Sequence, residues 1–248
     1  MEPDKIERIE RLFRRRYRIK KAVNLAVSAL IVVLGITSLI FIWNCDGDGV
    51  MTFRWMTVDG TAFTTAIAAF YIAAGIIEMV FYTELTNRGV YYVRLASAVA
   101  ESLILIVVLL SRLPFSPEKM HIYRYDMFNM HLLIPVLTVL SFILNDSPIG
   151  KLSFRQKMQG MLFVMLYAAV ILTLVVTGII PYEQIPYYFL DVEHMPVTVS
   201  VGWFVFIFVL SYLLSLFLSG INRRLSWVWF RNVARDRCLN DTGIGNIG

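Results

Sequence analysis

Six stretches of the chain, residues 22–43, 57–82, 92–110, 127–144, 158–180 and 197–218, are almost continuously apolar. At a rise of about 1.5 Å per helical residue, each is long enough to cross about 30 Å of hydrocarbon. Nothing else in the sequence constrains the fold as strongly. Backbone exposed to lipid must satisfy its own N–H and C=O groups, and an open strand edge cannot, so every stretch has to be a helix. The expected fold is all-α: a polytopic membrane protein built as a six-helix transmembrane bundle. The third and fourth stretches are the shortest and suit a smaller tilt or a thinner patch of bilayer. The composition agrees, with 58% hydrophobic and 17% charged residues against roughly 45–50% and 25% in soluble domains.

The first stretch has a basic flank, as a signal peptide has. Its apolar run is too long, and it ends Phe41-Ile42-Trp43-Asn44 without small residues for cleavage, so it reads as a retained helix. Spans one to three share no motif with spans four to six. That argues against a transporter built from repeats.

Lysine and arginine set the orientation. Nineteen of the 23 fall in residues 1–21, around the second and fourth loops, and in the tail from Arg223. Only Arg54, Arg112, Lys119 and Arg124 fall on the other side. The positive-inside rule then puts both termini in the cytoplasm. It divides the chain into a basic amino-terminal segment (1–21), a transmembrane domain (22–220) and a basic tail (221–248) whose last residues, 240–248, read as disordered. Trp43, Trp55, Tyr187, Tyr188 and Trp203 fall at the outer interface as an aromatic belt, and Trp227 and Trp229 at the inner one.

The net charge of +5 does not point to nucleic acid, because the basic residues sit at span ends, where they meet anionic lipid headgroups. The partners expected are membrane lipids and no nucleic acid; the oligomeric state stays open. Cys45 and Cys238 lie on opposite sides of the bilayer in this topology and cannot pair. No Cys or His spacing suits a metal, and no motif calls for a cofactor. The serine-hydrolase elbow, the zinc-protease helix motif and the phosphate-binding loop are all missing.

Polar residues inside spans carry the remaining information. Thr57, Thr61, Thr64 and Ala68 follow helical spacing and give span two one small, polar face. Thr61, Thr64 and Thr65 read as packing residues that let helices approach. Thr57 lies at the outer mouth, within reach of both water and a substrate. His131 lies about one turn below the outer surface in span four. Pro135, four residues on, has no N–H to give the His131 carbonyl and is expected to kink the helix there. Glu78 and Glu101 read either as braces between spans two and three or as proton-handling groups. His121 reads as solvated in an outer loop, and His194 lies in the 181–196 loop with Asp191 and Glu193.

Three pieces occur in a telling order: Phe53-Arg54-Trp55-Met56-Thr57-Val58-Asp59 at the head of span two, Asn129-Met130-His131-Leu132-Leu133-Ile134-Pro135 in span four, and Tyr188-Phe189-Leu190-Asp191-Val192 before span six. In a six-span chain of this size they resemble the androgen-induced and androgen-dependent TFPI-regulating protein family of membrane threonine hydrolases and its bacterial relatives. The resemblance covers about residues 53–218; the basic extension and the tail have no counterpart in it. It implies hydrolysis of fatty-acid esters of hydroxy fatty acids or similar lipid esters. It implies Thr57 as nucleophile and His131 as base, a lipid substrate with an acyl chain, and a bacterial plasma membrane as the location. Tyr188 stands where the family's loop has proline.

The residues suit that chemistry. A threonine hydroxyl needs a neighbouring base, and a neutral histidine can take its proton and return it to a leaving alkoxide. Arg54, Asn129 and Tyr187 are candidates to hold the substrate or its oxyanion, and Asp191 to orient His131 or to cap its loop. The alternative is a non-enzymatic polytopic protein, a small transporter or a scaffold, and the carboxylates of Glu78 and Glu101 lean that way.

Overall fold

The computed structural model describes residues 3–45, 49–81, 88–112, 124–146, 152–191 and 195–241, and, within these, the side chains outside 3–17, 111–112, 145, 188 and 227–241. All regular structure among the described residues is helical. Six helices are long and apolar enough to cross a membrane: Arg18–Cys45, Met56–Phe81, Arg88–Leu110, Tyr125–Leu144, Phe154–Val176 and Val197–Ser226. These are spans one to six, and the polytopic fold expected from the sequence is the one observed. The fourth is the shortest at 20 residues, while the third has 23 and equals the fifth. His121, His194, Val192, Glu193, Lys119 and residues 242–248 lie outside the described residues, as do the side chains of Arg112, Tyr188, Trp227, Trp229 and Cys238.

The first and last helices run on beyond their apolar spans. One runs continuously over Pro3–Cys45 and the other over Val197–Asp241. The basic amino-terminal segment is therefore a helical extension of span one. The tail is a helical extension of span six that reaches two residues into the stretch read as disordered.

Spans one, two, three and four close a circuit: one packs on two, two on three, three on four, and four back on one. Spans five and six pack outside it against span three. Span three is thus the centre, and 67% of its most apolar window is buried, against 22–39% for the others. Its sequence explains this: Leu95, Ala96, Ala98, Val99 and Ala100 are all buried and mostly small, so helices approach it from every side. The outward faces of the bundle remain apolar. Leu30, Val33 and Ile40 on span one and Val205, Val209 and Leu213 on span six are exposed at helical spacings. A surface of this extent is stable against lipid, not against water.

Polar side chains settle the helix ends. Asn222 of span six donates to the carbonyls of Phe142 (3.0 Å), Ile143 (3.1 Å) and Asp146 (2.8 Å) at the end of span four, where the Phe142 carbonyl also accepts from the Asp146 N–H at 3.3 Å. Ser153 and Gln156 form a capping box at the start of span five. Where spans five and six meet, Ser215 Oγ donates to the Lys157 carbonyl at 2.6 Å, and a Cβ on Gly160 would collide with that hydroxyl.

Asn24 of span one and Asn222 of span six meet Asp146 at one end of the bundle; Cys45 and the head of span two lie at the other. The positive-inside rule expects the Asp146 end to be the cytoplasmic one. Cys45 is an exposed free thiol, so an impermeant maleimide added to intact cells is expected to label it. A Cys45→Ser, Ser153→Cys chain should stay unlabelled until the cells are opened. Labelling at position 153 from outside would invert the bundle.

Candidate functional site

A 3₁₀ turn over Gly49–Arg54 leads into span two, whose helix starts at Met56. The Trp55 carbonyl accepts from the N–H of Val58 (3.0 Å) and of Asp59 (3.2 Å). The Met56 N–H, an orphan donor of the first turn, is taken by the Tyr187 hydroxyl at 3.3 Å. Tyr167 of span five donates its hydroxyl to the Arg54 carbonyl at 2.7 Å. The Tyr187 ring stands edge-on to Trp55, with 6.0 Å between centroids, and the Arg54 guanidinium lies 5.5 Å from the centre of the Trp55 ring. Arg54 Nη1 donates to the Met51 carbonyl at 3.1 Å. The loop after span five is thereby folded onto the head of span two, with Leu190 and Ile180 buried beneath it. Thr57, in the first helical turn, is half-buried.

Span four departs from regular helix where the sequence requires it to. Pro135 cannot donate to the His131 carbonyl. The chain widens into a π-helical turn over Asn129–Leu133, in which the Ile134 N–H reaches the Asn129 carbonyl. The missing bond is thus absorbed by a π-bulge, a feature frequent at functional sites. Asp126, fully buried one turn earlier, is held in a two-bonded pair by Arg124, both contacts at 2.7 Å. His131 Nδ1 lies 3.0 Å from the Met127 carbonyl. A carbonyl only accepts, so this nitrogen carries a proton, and Nε2 is the basic nitrogen of the neutral ring.

The two elements meet. Val58 and Met130 are buried in one cluster with Ile42, and Trp55 and Met127 pack against it. Thr57 precedes Val58 and His131 follows Met130. The face of span two that Thr57 shares turns inward: the Thr64 hydroxyl meets Ser97 Oγ of span three at 2.9 Å, and Ala68 packs on Ile31 and Ile134. Thr65 bonds back to the Thr61 carbonyl at 2.6 Å, so Thr64 and Thr65 do serve packing.

The other candidates separate. Arg54 and Tyr187 gather at the head of span two. Asn129 is buried and donates from Nδ2 to Ser38 Oγ of span one at 3.2 Å. Asp191 hydrogen-bonds with Tyr182 in its own loop, and its charge raises the Tyr182 phenol above its ordinary range.

Glu78 forms an ion pair with Lys21, which braces spans one and two. Glu101 does lie between spans two and three, fully buried. Two features escaped sequence reasoning. One is Tyr167, whose only sequence signal is a hydroxyl inside an apolar span. The other is Arg94, which by position counts as a loop cation. It is 7% exposed, bonds Asp146 Oδ2 through Nε at 2.7 Å and stands 4.4 Å over the Tyr71 ring. Asn24 and Ser141 complete this buried network.

No protein-family model matches the chain, and no curated protein and no solved structure matches it.

Proposed function

We propose that this protein is an intramembrane hydrolase of lipid esters, such as fatty-acid esters of hydroxy fatty acids, as the family resemblance of its three motifs implies. The observation that supports the proposal is that Val58 and Met130, the chain neighbours of Thr57 and His131, belong to one buried cluster with Ile42. His131 Nε2 takes the proton of the Thr57 hydroxyl as its oxygen attacks the ester carbonyl. The same proton passes to the leaving alkoxide, and water then frees the acyl group from threonine. Thr57 stands in the first turn of a 26-residue helix, where the helix dipole favours negative charge developing beside it. Arg54 and Tyr187 stand at the same helix end, whereas Asn129 is engaged with span one. The exposed apolar faces let an acyl chain stay in lipid while its ester meets the site.

Labelling of the purified protein with a fluorophosphonate tests this. A phosphonyl adduct located by mass spectrometry on Thr57, and lost in His131→Ala, is the expected result. A protein that is folded yet unlabelled at Thr57 sinks the proposal and leaves a non-enzymatic transporter or scaffold as the better reading.

A further inference from the structure

Glu101 lies in the most buried span, with 0% exposure, and among the described residues its carboxyl has no charged partner; the polar group set against it is the Thr64 hydroxyl. Among the described residues, no charged group on the helices packed against span three, Asp126, Arg155 and Arg224 included, hydrogen-bonds the carboxyl oxygens. An isolated carboxylate in such a place costs several kcal/mol, and ionisable groups retained inside membranes mark ion and proton routes.

Polar groups line up on either side of it. Span two comes close here, because a Cβ on Gly60 would lie 3.9 Å from Glu101 Oε1. The Thr64 hydroxyl faces the carboxyl and bonds Ser97, one turn along span three toward the Asp146 end. Thr64 and Ser97 in turn line a cavity with Thr138, Arg94 and the apolar Ile31, Ile67, Ala68 and Phe142, with room for about one water molecule. Arg94 is two turns beyond Glu101, about 10 Å at the helical rise. Its charge is offset by Asp146, so the row does not end on a net cation. Toward the Cys45 end follows the Thr61 hydroxyl, fully buried and without a partner among the described residues, and then half-buried Thr57 and Asp59.

We propose that spans two, three and four enclose a proton pathway across the bilayer, with the Glu101 carboxyl as its proton-binding group and the Thr64–Ser97 hydroxyls, the cavity and the Arg94–Asp146 pair as its route to the Asp146 end. A proton leaves Glu101 for the hydroxyl and water chain on one side and is replaced through Thr61 from the other. The hydroxyls donate and accept at once and carry no net charge. This goes beyond ester hydrolysis and is read without any ester present.

The test is proton flux into phosphatidylcholine–phosphatidylglycerol vesicles that hold the purified protein and a trapped pH dye, driven by a potassium diffusion potential. Wild-type vesicles should take up protons several-fold faster than protein-free vesicles. Glu101→Gln should fall to the protein-free rate, Glu101→Asp should keep part of the flux, and Thr64→Val and Ser97→Ala should slow it with Glu101 in place. Dicyclohexylcarbodiimide guards against a Gln variant that fails to fold. The protonated carboxyl adds across its C=N bond, the acid proton going to nitrogen and the oxygen to carbon, and the product rearranges to an N-acylurea. Flux should be lost as Glu101 is labelled. Wild-type flux equal to that of empty vesicles, or full flux in folded Glu101→Gln or in Glu101-labelled protein, overturns the proposal.

Discussion

Thr57→Ala is expected to lose lipid-ester hydrolysis almost completely while remaining folded. The fall in turnover should be on the order of 10⁴–10⁶-fold, the scale set when a hydrolase loses a member of its nucleophile–base unit. Stability should change by about 1 kcal/mol at most, because one half-buried hydroxyl at a helix end is removed. Thr57→Ser should keep part of the activity, since it retains the hydroxyl and loses only the methyl that restricts its rotamer. His131→Ala should be as damaging as Thr57→Ala, and the double variant no worse than either, because the two residues act as a unit. Thr61→Ala is the control, one turn away on the same helix. Turnover of a fatty-acid ester by purified variants in detergent, with melts alongside, decides the matter. A folded Thr57→Ala protein that turns over ester at the wild-type rate makes Thr57 another packing threonine.

The contrast between what the sequence revealed and what it hid follows the range of the interactions. Apolar length and the cost of unpaired backbone in lipid are properties of single segments, so all six spans could be read directly. The Thr57–Thr61–Thr64–Ala68 face could be read too, because helical period is local. Pro135 announced a lost hydrogen bond, but whether the chain kinks or widens depends on what packs around it. Buried Met130 lies within the turn that widens and buried Ile134 follows it, both in core clusters. Glu78 was visible as an intramembrane carboxylate, yet its partner Lys21 is 57 residues away. A one-dimensional pattern gives no means of pairing such groups. Arg94 was misplaced for a related reason. Counting charge by position assigns a cation near a span end to the loop, and only the fold draws it inward to Asp146.

That buried pair carries the other large effect, on stability. Arg94→Leu should leave Asp146 buried with Asn24, whose Nδ2 is 3.5 Å from Oδ1, and with the charge of Lys20 but no hydrogen-bonded cation. Asp146→Leu should strand a guanidinium on Ser141, Asn24 and the Tyr71 ring. Removing one member of a buried ion pair costs about 3–5 kcal/mol, because the other charge remains without its counter-ion. Both single variants should therefore unfold at much lower denaturant. The double variant, Arg94→Leu with Asp146→Leu, removes both charges together and should be far less destabilised than the sum of the two. Replacing a whole buried pair with apolar residues is often close to neutral. Asn24 keeps Tyr71, through Nδ2 at 2.9 Å, and Ser141 as partners, so the double change orphans little else. Equilibrium unfolding of the four proteins in mixed micelles gives the coupling energy directly. Strictly additive losses would mean that Arg94 and Asp146 stabilise the bundle separately, each through its own neighbours.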